Sequence, residues 1–255
     1  MIYHVLNGDA LIERFMSTGI DGQVIVAREC LVEGGLAGDT IENFYKTRAA
    51  FIKSRYEDTE DNYYRKVVAE FDTLLQAPGS SEFNLWFGYD LFCQVNLWFI
   101  ISLLNDPKKR HSIDLIYPSY LSDENVWDDF GNATSADLIG CYERRIRVDT
   151  AGIVLGTDLW TAYKNADFAR LDELSKIDSP YYPYLKEVCQ AHIQRFPTDD
   201  EEGRPEKAIE RLITEGLSDF NTVFHKFSQR EGVYGFSDLQ VKQIFETVKD
   251  RREDL

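Results

Sequence analysis

Residues 1–29, MIYHVLNGDALIERFMSTGIDGQVIVARE, decide the fold class of this chain. Ile2 to Leu6 is a short β-branched and aromatic run that stops at Asn7-Gly8-Asp9, after which Leu11, Ile12, Phe15 and Met16 recur at the spacing of one helix face. Gly19 and Gly22 break that helix, and Gln23 to Ala27 forms a second apolar run ending at Arg28-Glu29. Strand, tight turn, helix and strand, with strands apolar throughout rather than alternating, are the pattern of a parallel sheet covered on both faces.

The same alternation continues outward. After the glycine-rich stretch 33–38, Ile41, Phe44, Tyr45, Ala49 and Ile52 predict a helix, and Tyr64, Val67, Val68, Phe71, Leu74 and Leu75 predict another. The turn Pro78-Gly79-Ser80-Ser81 leads to a strand over Phe83 to Phe87, Asp90 heads an apolar helix through Leu104, and Ile113 to Tyr117 reads as a fourth strand. The expected architecture is α/β: a Rossmann-like three-layer domain with a mainly parallel sheet over residues 1–132, closing in a polar stretch that carries Trp127 and Phe130. Leu6, Ala27 and Phe87 are expected at the C-terminal ends of neighbouring strands. Beyond residue 135 strand signals nearly vanish and helical stripes take over, so residues 133–255 are expected as an α-helical C-terminal region. Its last three short helices, with the turn Gly232 to Gly235, resemble a winged-helix arrangement.

Composition narrows the function. Of 255 residues, 28 are Lys or Arg and 44 are Asp or Glu, a formal charge of −16 that opposes attraction to phosphate backbones and anionic lipid. The last helix carries Lys242, Lys249, Arg251 and Arg252, but Asp238, Glu246, Asp250, Glu253 and Asp254 offset them, which disfavours DNA. Hydrophobic residues make up 44%, too many for a disordered acidic chain. Cys30, Cys93, Cys141 and Cys189 stand singly, without metal-ligand spacing, so zinc is not expected. The first residues lack a signal-peptide pattern, and the longest apolar run, Val95 to Leu104, is interrupted and too short for a bilayer; a cytoplasmic protein with reduced thiols is the expectation.

In the blocks MIYHVLNGDALIERF, VIVAREC and LWFGYDLFCQ the chain resembles the bacterial family catalogued as domain of unknown function 1835, over approximately residues 1–118. The blocks LGTDLWTAY, AHIQRFP, GRPEKAIE and REGVYGFSDLQV are similar to the helical region that follows it in relatives. The resemblance implies a bacterial α/β protein and brings no catalytic residues with it. Gly88-Tyr89 before Asp90 departs from the acidic residue or histidine expected of the family at that turn.

In an open parallel sheet, ligands bind outside the carboxyl ends of the strands. The candidates there are Asn7, Gly8 and Asp9 after the first strand, Arg28 and Glu29 after the second, and Asp90 after the third. Gathered in one crevice, Asp9, Glu29 and Asp90 offer oxygen ligands for a divalent metal, or a general acid and base. The plainer alternatives are helix N-capping by Asp9 and Asp90, and a solvated Arg28–Glu29 pair. Asp9 and Glu29 are expected to serve a ligand more than folding. Neither GxGxxG nor GxxxxGK[ST] occurs. Cys93 and His4 read as core residues. A second cluster, Arg195, Arg204, Glu206, Arg230, Glu231, Tyr234 and Asp238, reads as interhelical ion pairs or an anion site.

Two classes of function remain open on these grounds. One is an enzyme or binder of a small polar or phosphorylated molecule at the strand-end crevice, with a divalent metal as the candidate cofactor. The other is a non-catalytic regulatory or interaction module in which the helical region meets a protein partner or a second copy of the chain.

Overall fold

The computed structural model describes residues 1–56, 58–118, 121 and 125–253; Asp254 and residues 119, 120 and 122–124 of the predicted boundary lie outside the described residues. β1 (Ile2–Asn7) leads through a 3₁₀ turn, Asp9–Leu11, to α1 (Ile12–Met16), then to β2 (Gln23–Ala27) and α2 (Ile41–Tyr56). The next helix has three parts: α3 (Glu60–Tyr63), a π turn over Tyr64–Val68, and α4 (Ala69–Gln76). β3 (Glu82–Trp86), α5 (Leu91–Leu104) and β4 (Ser112–Ile116) complete the pattern read from the sequence, each of these strands shifted by one residue.

The expectation that strands nearly vanish after residue 135 holds with one short strand as the exception. α6 (Ser135–Glu143), closed by a reciprocal cap between Thr134 and Asp137, is followed by β5 (Ile146–Arg147). Two residues are too few to show a period, so β5 is defined only by its partner β4, against which it runs antiparallel. The remainder of the described chain is helices and turns: α7 (Thr150–Lys164), α8 (Phe168–Leu174), α9 (Leu185–Gln194), α10 (Arg204–Thr214), α11 (Phe220–Arg230), a 3₁₀ turn Gly232–Tyr234, and α12 (Asp238–Glu253). Pro205 stands in the first turn of α10, where its missing N–H costs nothing.

The five-stranded sheet has the order β2-β1-β3-β4-β5, with the first four strands parallel. Alternate residues along the strands supply two cores. Val5, Ile25, Leu85 and Leu115 face α2, α4 and α5, while Leu6, Trp86 and Ile116 face α1 and α6 with Phe15, Phe130 and Leu138. This is a three-layer arrangement. His4, fully buried on the second face, accepts Trp86 Nε1–H at Nδ1 (3.2 Å) and reaches the Asp21 carbonyl with Nε2 (3.1 Å). Burial lowers its pKa against the Asp21 hydrogen bond, which raises it, and Nδ1, as the acceptor, carries no proton.

α5 is apolar on nearly all sides and buried on nearly all sides. A helix of that kind has to be covered on both faces. The sheet covers one, and α7 covers the other, bringing Leu159, Trp160 and Tyr163 into the same core as Phe99 and Trp98. Tyr163 OH donates to Leu31 O (3.1 Å), Lys164 Nζ to Gly38 O (2.6 Å) and Arg195 Nη2 to Val32 O (2.6 Å), so the loop after β2 is also held by the helical region.

Because the apolar core runs without interruption from the sheet into α7 and α9, urea unfolding of the whole chain is expected to be one cooperative transition. Leu159→Ala, at a fully buried site, is expected to cost about 2–5 kcal/mol and to move that single transition as a unit. Two separated transitions, or a loss confined to one of them, would contradict the continuous core.

Candidate functional site

β1 lies between β2 and β3, so the chain leaves it toward one neighbour and returns on the other side. The loops after β1 and β3 therefore diverge and open a crevice at their carboxyl ends. The register sets Asn7 opposite Ala27 and Leu6 opposite Trp86, which aligns the three strand ends as expected. Gly8, at φ +86°, turns the chain there, and its amide N–H reaches both Leu6 O and Ala27 O at 3.1 Å.

The six sequence-predicted residues all lie along this edge but divide among three environments. Asp9 does not cap a helix; its side chain, 64% exposed, instead pairs with Arg28 Nε at 2.7 Å. Arg28 Nη1 also donates to Glu70 Oε1 (2.9 Å) and Lys66 O (2.8 Å), tying the strand end to the π turn and α4. Asp9 and Arg28 border a shallow groove with Arg65, Lys66 and Glu70, apart from the crevice.

Glu29 turns inward rather than toward Arg28. Its Oε2 accepts Arg48 Nη2 (2.9 Å), Arg48 Nε (3.1 Å) and the Cys30 N–H (3.1 Å), and its Oε1 accepts Tyr63 OH (2.5 Å). Arg48 is itself fully buried and also donates to Glu33 O (2.6 Å) and Cys30 O (2.9 Å). Both Glu29 oxygens are thus engaged in holding the loop after β2, a structural task that the sequence did not disclose because Arg48 lies 19 residues away on α2.

Asn7 and Asp90 are the two that meet at the crevice. Asn7 Nδ2 donates to Cys93 Sγ (3.2 Å), and its Oδ1 accepts Asn96 Nδ2 (2.9 Å), which also donates to Glu29 O (2.8 Å). Asp90 caps α5 as expected, with Oδ1 accepting the Cys93 N–H at 2.9 Å. It is only 3% exposed, and burial, reinforced by the nearby Asp129, pushes its carboxyl up to about 6 against the opposing hydrogen bonds from Cys93. Burial and the Asp90 carboxylate push the Cys93 thiol up as well, which keeps it protonated and unsuited to nucleophilic attack.

Both residues line a cleft of about 520 Å³. Its floor is Asn7, Asp90, Phe92 and Cys93; one wall is the segment with Asn125, Trp127, Asp128 and Asp129; the other comes from α11 and the following turn, including His225, Glu231 and Phe236. The second wall comes within contact of the floor at Gly235, whose φ is +61° and where a Cβ would overlap the Asp90 carboxylate. These wall residues were not found from sequence as site members. In the sequence Trp127 stands in the polar stretch that closes the α/β domain and Glu231 in an ion-pair cluster, and nothing local connects either with Asp90.

That ion-pair cluster docks helices. Arg204 meets Glu231 at 2.8 Å, Arg230 meets Glu215 at 2.8 Å, and Arg195 reaches the loop after β2 as described above. Among the described residues no group of three or more His, Cys, Asp or Glu side chains converges as a metal site, and Asp9, Glu29 and Asp90 do not share one environment. No helix among the described residues is long and apolar enough to cross a membrane. Comparison with protein-family models, with curated proteins and with solved structures finds no match.

Two stability effects follow from these environments. Arg48→Met strands the buried Glu29 carboxylate and is expected to cost about 3–5 kcal/mol, with part regained when Glu29→Gln is added; a single-variant loss below about 1 kcal/mol in urea melts would contradict the pairing. Asp90 binds its proton more tightly folded than unfolded, so its contribution to stability is present at low pH and is lost as pH rises through about 6. Asp90→Asn keeps the capping oxygen without the charge. Its stability relative to wild type is expected to rise between about pH 4 and pH 7, toward a limit on the order of 3 kcal/mol, whereas a gap independent of pH would mean an ordinary carboxyl.

Proposed function

We propose that this protein binds a small polar molecule in the cleft over the ends of β1 and β3, with Asp90 as the group that exchanges a proton with it. The observation that carries this reading is a buried carboxyl at the topological switch point, lining a cleft of ligand size and held near a pKa of about 6. A group with that pKa exists in both protonation states near neutral pH, which suits it to general acid or base work. Asn7 supplies a neutral amide beside it, fixed by Asn96 and Cys93.

The phosphorylated version of the ligand draws little support from the lining, which among the described residues has no Lys or Arg. Arg14, beside a small recess adjoining the cleft, donates to the carbonyl oxygens of Gly131 and Ala133. A divalent metal held by Asp9, Glu29 and Asp90 together is not favoured by their separate environments, described above. The helical region contributes as a wall of the cleft, which makes it part of a ligand site in this reading rather than a separate interaction module.

A thermal-shift screen of sugars, nucleosides, amino acids, amines, sugar phosphates and divalent ions tests the reading. A ligand at a hundred times its Kd is expected to stabilise the fold by about 2.7 kcal/mol. Its affinity is expected to fall at least about tenfold in Asp90→Asn, whose capping oxygen survives, and to be unchanged in Arg28→Ala, outside the cleft. A ligand that binds Asp90→Asn as tightly as wild type but loses affinity in Arg28→Ala would move the site to the outer groove and overturn this reading.

A further inference from the structure

Resting on the cleft reading above, we infer that the ligand is an organic cation, an ammonium attached to an apolar or aromatic body, with its charge among Asp90, Asp128 and Asp129 and its carbon body against Trp127 and Phe236. Several independent features lead there. Asp90 is more than nine-tenths buried, and one of its oxygens accepts the Cys93 N–H, yet no cation pairs with it among the described residues. Asp128 and Asp129 likewise form no ion pair among the described residues; their oxygens accept Asn125 Nδ2 (2.6 Å) and the Gly131 N–H (2.6 Å).

The other two fully buried acids differ: Glu29 and Asp114 each have an arginine within 2.9 Å. An unpaired buried carboxylate is costly, and a bound cation removes the cost that burial imposes. Three carboxylates without a cationic partner among the described residues repel phosphate and carboxylate ligands and attract ammonium, an effect that the formal charge of −16 extends into the surrounding solvent.

The apolar walls fit the same ligand. Trp127 and Phe236 are half-buried at the cleft, Trp127 against Gly232 and Phe236 stacked on Phe227 with ring planes 9° apart. The Trp127 indole beside these carboxylates favours a cation whose adjoining carbons are desolvated, through cation–π attraction and burial together, while Phe236, which already has the Arg195 guanidinium 6.0 Å from its ring centre, adds apolar cover. A hydroxylated neutral ligand would leave the aspartate charges uncompensated.

Benzylammonium, benzyl alcohol and benzoate, alike in shape and different in charge, separate the ligand class from the site. Binding is followed by amide and indole NMR shifts and by calorimetry at about 0.15 M salt, which screens attraction to distant surface charge. The expected result is shifts at Trp127, Asp129 and Gly235, with benzylammonium bound about tenfold or more tightly than either analogue. Asp129→Asn, an exposed change that leaves the fold intact, is expected to weaken benzylammonium several-fold and to leave benzyl alcohol unaffected. Equal or tighter binding of the alcohol or benzoate at those residues overturns the cationic class and leaves the cleft reading standing. Absence of shifts from benzylammonium, while another compound of the thermal screen shifts the same residues, also overturns the class alone. If the probes and every stabilising compound of that screen shift residues elsewhere, the class and the cleft reading fall together.

Discussion

The burial of α5 on nearly every side organises this molecule. Its sequence, LFCQVNLWFIISLL, offers no polar face to solvent, so a single sheet is insufficient cover and α7 must close over it. Once α7 is in place, α9 and the turn after α11 follow onto the same helix, and the turn arrives at the N-terminus of α5. The cleft wall is therefore a consequence of core packing. An α5 with a polar outer face would leave the strand ends open to water, with Asp90 as an ordinary exposed cap.

A polar chain threads this apolar frame at one place. Asn96 projects from α5 toward the strand ends, where one amide nitrogen serves both Asn7 and the Glu29 carbonyl, while its own Oδ1 is buried without a partner among the described residues. Glu29 then joins Arg48 and Tyr63. The arrangement links the ends of β1 and β2 to α2, α5 and the π turn, so the floor of the cleft and the loop after β2 are positioned by connected bonds. Such networks are costly when broken, because each member would be left buried and unpaired. The π turn at Tyr64–Val68 immediately follows Tyr63, the residue whose hydroxyl reaches Glu29, and such turns are often found where a helix has been adjusted to a local demand.

The strand ends illustrate how acidic residues of similar appearance take different tasks. Asp9 remains in solvent with Arg28, Glu29 is enclosed with Arg48 and Tyr63, and Asp90 is enclosed as a helix cap with no cation paired to it among the described residues. Burial raises the pKa of Asp90, whereas the charge of Glu29 is paired with that of Arg48. The difference lies in which helix packs over each strand end, α2 over one and the α11 turn over the other.

Local pattern alone determined the elements up to β4, the parallel alignment of the first strand ends, the cap at Asp90 and the helical character of the second half, because each depends on residues adjacent in the chain or one helix turn apart. It also pointed to the edge at which the cleft lies, through the rule that parallel strands open at their carboxyl ends. What it did not contain was the choice among the six candidates. Arg48 rather than Arg28 as the partner of Glu29, the two-residue β5, and the joining of Asn7 and Asp90 with Trp127, Asp129, Glu231 and Gly235 all depend on contacts across long stretches of chain. Those contacts are set by how the apolar surfaces of α5 and α7 fit together, a matter of three-dimensional packing that leaves no period or motif at the polar residues it brings together.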